Sequence, residues 1–167
     1  YVPERLAGVL EPRISICNID GSIVTQTVLL WEGSTGNADL PIGIKYSILI
    51  VSTRYARRLQ AVLLSIANQR GIDLERIEVI VSYVPGIDAT DDLINSMKLA
   101  YPKLRIVRSP FPQGCTNSKG FLINESVRVA SGEWVVFLDS DTLVAPDMFA
   151  KIEEVEATCN FIAPDGR

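Results

Sequence analysis

The chain has no histidine. That absence removes the commonest general base and the commonest zinc ligand, so histidine-based triads and zinc hydrolysis are excluded. Cysteine is scarce: Cys17, Cys115 and Cys159 lie far apart with no Cys-x-x-Cys spacing. An odd, scattered set fits a reducing, cytoplasmic setting better than a disulfide framework. No apolar run approaches the roughly 18 residues that cross a bilayer, so no transmembrane segment is expected here. No basic tract occurs, and 16 Lys and Arg against 20 Asp and Glu leave a net charge of −4. A nucleic-acid backbone is therefore not an expected partner. There is no basic-then-apolar leader, and the first residue is Tyr1 rather than Met. We expect a piece of a longer protein, for which membrane association stays open.

What is present is enough for a sizeable core. The 167 residues are 47% hydrophobic with mean hydropathy +0.21, which is one domain's worth of chain and not a disordered tail. Residues 1–44 differ from the rest. Runs at Arg13–Ile19 and Ile23–Val28 flank Asp20-Gly21 and predict a β-hairpin. Gly33 to Gly43 then reads as a linker by composition. We expect a β-rich extension over 1–44 and a second domain over 45–167.

From Tyr46 the pattern becomes regular. Tyr46–Ser52, Ile77–Val81 and Leu104–Val107 read as strands. Between them, Arg57–Gln69 carries Leu59, Val62, Leu63 and Ile66 at helical spacing, and Asp91–Tyr101 reads as a helix stopped by Pro102. A long loop, Arg108 to Ser118, precedes a helix whose apolar face is marked by Ile123, Val127 and Ala130. A last helix is expected over Pro146–Ala157. Strands alternating with helices imply right-handed βαβ crossovers and a mostly parallel sheet, an α/β fold.

The most informative stretch is Gly132 to Asp141. Trp134–Leu138 is a short apolar run that reads as a buried central strand, and Asp139-Ser140-Asp141 closes it. Ligands bind at the carboxyl edge of such sheets. Two carboxylates at i and i+2 can share one hard cation, Mg²⁺ or Mn²⁺. The same three residues serve equally well as a turn or helix cap. Thr53, Arg54 and Tyr55 end the first strand, where a ring and donors suit a base and ribose. As a structural alternative, Tyr55 staples the first helix and Arg54 is a solvated charge. Asp88 either meets a sugar hydroxyl or caps the next helix. Lys119 opens a helix, where a cation opposes the macrodipole unless an anion is near.

These residues, taken in order, resemble a family. Tyr46–Tyr55, Lys119 to Asn124, and Ala130 to Thr142 continuing to Pro146-Asp147 are similar to the nucleotide-binding half of a family 2 glycosyltransferase. The likeness covers residues 46–152 and implies the GT-A fold, a Rossmann-like nucleotide-diphospho-sugar transferase. By position, Asp141 would ligate a divalent cation, Mn²⁺ or Mg²⁺, and Asp139 the ribose or a metal-bound water. Thr53 and Tyr55 would hold the nucleoside, and Lys119 would lie near base or diphosphate. The implied reaction moves a sugar from a nucleoside-diphosphate sugar, a UDP-sugar first, to a saccharide or lipid acceptor hydroxyl with inversion.

The chain also departs from the family. Tyr83-Val84-Pro85-Gly86 replaces an acidic turn that reads uracil, which opens the identity of the base. Ala56 stands where Asn is usual, and Ser118 where Gly is usual. The family's catalytic base follows the metal motif at a distance that places it after Arg167. Two other classes remain in view: a degenerate, non-catalytic binding or scaffold module, and a sugar-phosphate nucleotidyltransferase. The glycine-free loop Ser52 to Arg57 argues against the second.

Overall fold

The computed structural model describes residues 43–158 and 160–163, with the backbone of two earlier strands. Those strands, β1 (Arg13–Cys17) and β2 (Ile23–Thr27), pair antiparallel. The connection expected to make them a hairpin, at Asp20-Gly21, lies outside the described residues, as does the linker before residue 43. The chain divides into two compact units, residues 37–148 and residues 1–36 with 149–167.

In the larger unit the alternation of apolar runs builds strands β3 (Tyr46–Val51), β4 (Ile77–Tyr83), β5 (Arg105–Pro110) and β6 (Trp134–Asp139). All pair in parallel, in the order β5-β4-β3-β6. Helices α1 (Ala56–Ala67), α2 (Thr90–Ala100) and α3 (Lys119–Val127) make the connections. α1 turns Leu59, Val62, Leu63 and Ile66 into the core, each fully buried. Each such side chain contributes about 1.5–3 kcal/mol relative to exposure. The chain builds β4 and β5 on one side of β3, then crosses to add β6 on the other. The crevice between the carboxyl ends of β3 and β6 is thus the topological switch point, where open α/β sheets take ligands. This is the mostly parallel α/β arrangement that the alternating pattern implied.

At the opposite, amino end of the sheet, one buried carboxylate ties three strands together. Glu78 of β4 is fully buried. Its Oε1 accepts from Ser47 Oγ at 2.6 Å and from the N–H and hydroxyl of Ser131, both at 2.7 Å. Its Oε2 accepts from Arg105 Nε at 3.1 Å. Beside this cluster, Gly132 N–H donates to Ser47 Oγ at 2.7 Å. A Cβ on Gly132 would stand 2.7 Å from Ser47 N and 2.9 Å from the Tyr46 carbonyl carbon, too close for any other residue. The network therefore fixes where β6 enters the sheet, and so where its far end emerges.

Two expectations are corrected here. Trp134–Leu138 is not a buried central strand. β3 and β4 are central, and β6, like β5, is an outer strand of the four, with Phe137 60% exposed. A continuous apolar run says only that both faces are apolar; it does not say how many neighbours cover them. Nor does α3 bury Ile123, Val127 and Ala130. Its buried residues are Leu122 and Ser126, and Val127 is exposed. Ser126 takes a core position because its hydroxyl is satisfied, by Leu122 O at 2.7 Å and by a hydrogen bond with the Ser82 hydroxyl. A polar residue in a core stripe rotates the helix relative to what apolar spacing suggests.

In the smaller unit, α4 (Met148–Val155) is shorter than expected and ends in a 3-10 turn, Glu156–Thr158. The tail contributes β7 (Phe161–Ile162), parallel to β1. A two-residue strand is too short to show a period.

Candidate functional site

The switch-point crevice holds a cavity of about 260 Å³. Val51 and Thr53 reach it from the end of β3, Tyr55 and Arg58 from the start of α1, and Lys119 from the start of α3. Thr116 comes from the preceding turn, and Asp139, Ser140 and Asp141 from the end of β6. Five of the seven residues singled out from sequence, Thr53, Tyr55, Lys119, Asp139 and Asp141, are thus brought to one place. Arg54 and Asp88 do not line the cavity.

Asp88 has a different position. Its Oδ1 accepts from Thr90 N–H at 3.1 Å and from the Thr90 hydroxyl at 2.6 Å, at the first residue of α2. Its Oδ2 accepts from Ala56 N–H at 3.0 Å, the first residue of α1. One carboxylate therefore satisfies orphan donors at two helix starts and sets a negative charge against both positive dipole ends. By holding the start of α1, Asp88 fixes Tyr55 and Arg58 over the cavity.

The acidic loop is pinned from α1 as well. Thr142 N–H closes a turn on Asp139 O at 3.1 Å. Val144 N–H donates to Ser65 Oγ at 3.2 Å, and Gln69 Nε2 to Ala145 O at 2.7 Å. Arg70 N–H donates to Pro146 O at 2.7 Å. Asp139, Ser140 and Asp141 are held between the end of a strand and the far end of a helix.

The charges in the cavity are matched. Lys119 Nζ pairs with Asp139 Oδ1, and Arg58 Nη1 lies 3.4 Å from Asp141 Oδ2. Arg58 also sits over the Tyr55 ring, 5.1 Å from its centre, within cation–π range. All four charged side chains are more than half exposed, so these pairs contribute about 0–1 kcal/mol each. The anion that Lys119 needs at its helix start is supplied by Asp139. Arg58 and Thr116 were not anticipated from sequence. Arg58 had a signal, since three residues after Tyr55 is the helical spacing that stacks side chains on one face.

The donor set bears on a metal. Among the described residues no group of three or more acidic, cysteine or histidine side chains gathers in one place. Asp139 and Asp141 nonetheless fit Mg²⁺ or Mn²⁺, which take oxygen ligands and are commonly held by one or two carboxylates plus substrate phosphates.

The end of β4 is closed. Tyr83 OH donates to Asp91 Oδ1, Arg108 Nε lies 3.7 Å from the same oxygen, and Arg108 Nη2 donates to Asn95 Oδ1 at 2.6 Å. Burial, then the Asp91 hydrogen bond and charge, push the Tyr83 phenol up to about 12 against the opposing pull of Arg108. The phenol is therefore a neutral donor at ordinary pH, and the group it serves is part of this chain.

Comparison with known proteins gives these features a family. No curated protein matches the chain. Among solved structures, S. aureus TarS (residues 1–349) in complex with UDP matches with a TM-score of 0.59 at 24% identity, over 68% of this chain and 32% of that one. The same protein in complex with UDP-GlcNAc gives 0.54 at 20% identity, over 68% and 32%. A mannosyltransferase from Pyrobaculum calidifontis, in complex with GDP-Man and Mn²⁺, gives 0.58 at 22% identity, over 66% and 31%. At these identities the likeness establishes the GT-A fold. The chain spans about a third of the length of these structures. Among the described residues no helix is long and apolar enough to cross a membrane. The family model for glycosyl transferase family 2 matches residues 47–158, from within β3 to past α4, and the chain therefore belongs to that family.

Proposed function

We propose that this domain binds the donor of a metal-dependent glycosyltransferase, which moves a sugar from a nucleoside-diphosphate sugar to an acceptor hydroxyl with inversion. One observation carries the reading. Thr53, Tyr55, Arg58, Lys119, Asp139 and Asp141 converge on a single cavity at the switch point of the sheet. In this reading Tyr55 and Thr53 hold the nucleoside, Asp141 and Asp139 hold Mn²⁺ or Mg²⁺, and Lys119 lies beside the diphosphate. The metal, when bound, supplies Lewis-acid neutralisation of the charge that grows on the leaving diphosphate. The chain's own part is to orient the donor on a rigid edge and set cations where charge develops.

Both carboxylates of the cavity are committed to cations in this scheme. Neither is therefore assigned as the general base that takes the acceptor's proton, a role that the family resemblance gives to a residue beyond the metal motif. Direct attack by the acceptor on the face opposite the leaving group is a single displacement, and it inverts the anomeric carbon. The relatives in complex with UDP, UDP-GlcNAc and GDP-Man support a nucleoside diphosphate as ligand. We place UDP first and a saccharide or lipid as acceptor. A free Cys115 thiol fits a cytoplasmic setting.

The test is calorimetric titration of this chain with UDP, GDP, ADP and CDP, with and without Mn²⁺. One diphosphate is expected to bind at least about tenfold tighter with Mn²⁺, a difference of about 1.4 kcal/mol. Equal affinity with and without the ion contradicts the metal-dependent site. No binding to any of the four favours a degenerate module instead.

A further inference from the structure

Arg58 belongs to two groups at once. Its guanidinium lies over the Tyr55 ring and its Nη1 faces Asp141. The Arg58–Asp141 pair also lines a second cavity of about 270 Å³, with Ala61 and Leu143, so it stands between two hollows. At 3.4 Å the contact is longer than the roughly 2.7–2.9 Å of a strong charge-assisted hydrogen bond. Both side chains are more than half exposed. The pair is loosely held and costs little to open.

The four charges of the cavity, Arg58, Lys119, Asp139 and Asp141, sum to zero. A divalent cation arriving alone must take the acids from their partners, leaving two cationic side chains beside it. A diphosphate arriving alone must take the cations, leaving two carboxylates facing its oxygens. Arriving together, each ligand accepts what the other releases. Resting on the donor-site reading above, we propose that Arg58 is an exchange residue. In the free chain it holds Asp141, and it turns to the donor's diphosphate when a divalent cation takes that carboxylate, so that metal and donor bind interdependently. Lys119 and Asp139 repeat the arrangement on the other side of the cavity. Arg58 is suited to the exchange because a planar guanidinium can stay stacked on Tyr55 while its N–H groups pass from carboxylate to phosphate, two acceptors that its fork fits equally.

The exchange predicts effects of opposite sign. Mn²⁺ binding without nucleotide is measured by electron paramagnetic resonance of the free ion, and UDP binding at saturating Mn²⁺ by calorimetry. Arg58→Ala frees Asp141 and is expected to bind Mn²⁺ alone up to about fivefold tighter. The same variant is expected to bind UDP with Mn²⁺ about tenfold or more weakly, because a charged donor to phosphate is gone. Arg58→Lys keeps the charge without the fork, so its Mn²⁺ affinity should match the wild type and its UDP affinity should fall between the two. Unchanged Mn²⁺ affinity in Arg58→Ala, or both affinities falling together as a merely structural arginine requires, overturns the exchange while leaving the donor site intact. A wild-type chain that binds none of UDP, GDP, ADP and CDP overturns the donor-site reading and the exchange with it; where one of the others binds in place of UDP, it replaces UDP in these titrations.

Discussion

Replacing Asp141 with alanine should remove Mn²⁺-dependent UDP binding from this chain by at least about 100-fold, or about 2.7 kcal/mol. The ion would keep only Asp139, itself shared with Lys119, and the diphosphate would lose the charge that bridges it. In a sugar-transfer assay of the activity proposed above, the expected fall in rate is about 10²–10³-fold, the range seen when one group stabilising a developing anion is removed. The fold should be unaffected. Asp141 is more than half exposed and its partner contact with Arg58 is long, so the stability cost is under about 1 kcal/mol. Calorimetry with a urea titration separates the two effects. Retained metal-dependent binding in a folded Asp141→Ala chain would mean that the acids serve the turn and not the ligand.

The opposite end of the sheet carries the largest stability effect. Glu78→Ala should lower stability by about 2–4 kcal/mol, because it leaves the Ser47 and Ser131 donors without their acceptor and the half-exposed Arg105 without its partner. That is a large share of the roughly 5–15 kcal/mol that holds a typical domain. Glu78→Gln keeps one acceptor oxygen but presents an amide N–H₂ where the second met Arg105, and a smaller loss of about 1–3 kcal/mol is expected. Urea unfolding followed by tryptophan fluorescence reads both. The network lies about five residues of strand, roughly 17 Å, from the cavity, so the folded fraction should bind nucleotide normally. A loss below about 1 kcal/mol in Glu78→Ala would show that the buried carboxylate is dispensable.

The same two residues show what a sequence discloses. Asp141 was legible because strand geometry and the rule for carboxyl edges place an acidic pair after an apolar run without further information. Glu78 was legible in principle, as the charged residue inside Ile77-Glu78-Val79-Ile80-Val81, where only a partnered carboxylate can sit. Its partners come from positions 47, 105 and 131, and no local pattern joins them. Strand order escaped for a similar reason. Apolar spacing marked β6 as a strand, while its outer position depends on which neighbours pair with it. The face of α3 was misjudged because Ser126 is buried by hydrogen bonds that spacing cannot show. Arg58 was overlooked although Tyr55 was not, since its partner Asp141 lies 83 positions away.

The acidic turn expected after the second strand is the clearest departure. Tyr83 occupies that strand end and donates to Asp91, so the hydrogen bond stays within the chain. In the proposed donor site, base recognition therefore rests on Tyr55 and Thr53 and not on the end of β4.

In the proposed donor site, metal and nucleotide meet between the carboxyl ends of β3 and β6. Paramagnetic broadening of backbone amide resonances by substoichiometric Mn²⁺ in the presence of UDP tests it most directly. The Thr53, Tyr55, Lys119, Asp139 and Asp141 signals are expected to disappear early. Ser131 and Gly132, at the other end of β6 about 20 Å away, should stay sharp. Broadening centred on the amino end of the sheet, or spread evenly over the chain, would contradict it.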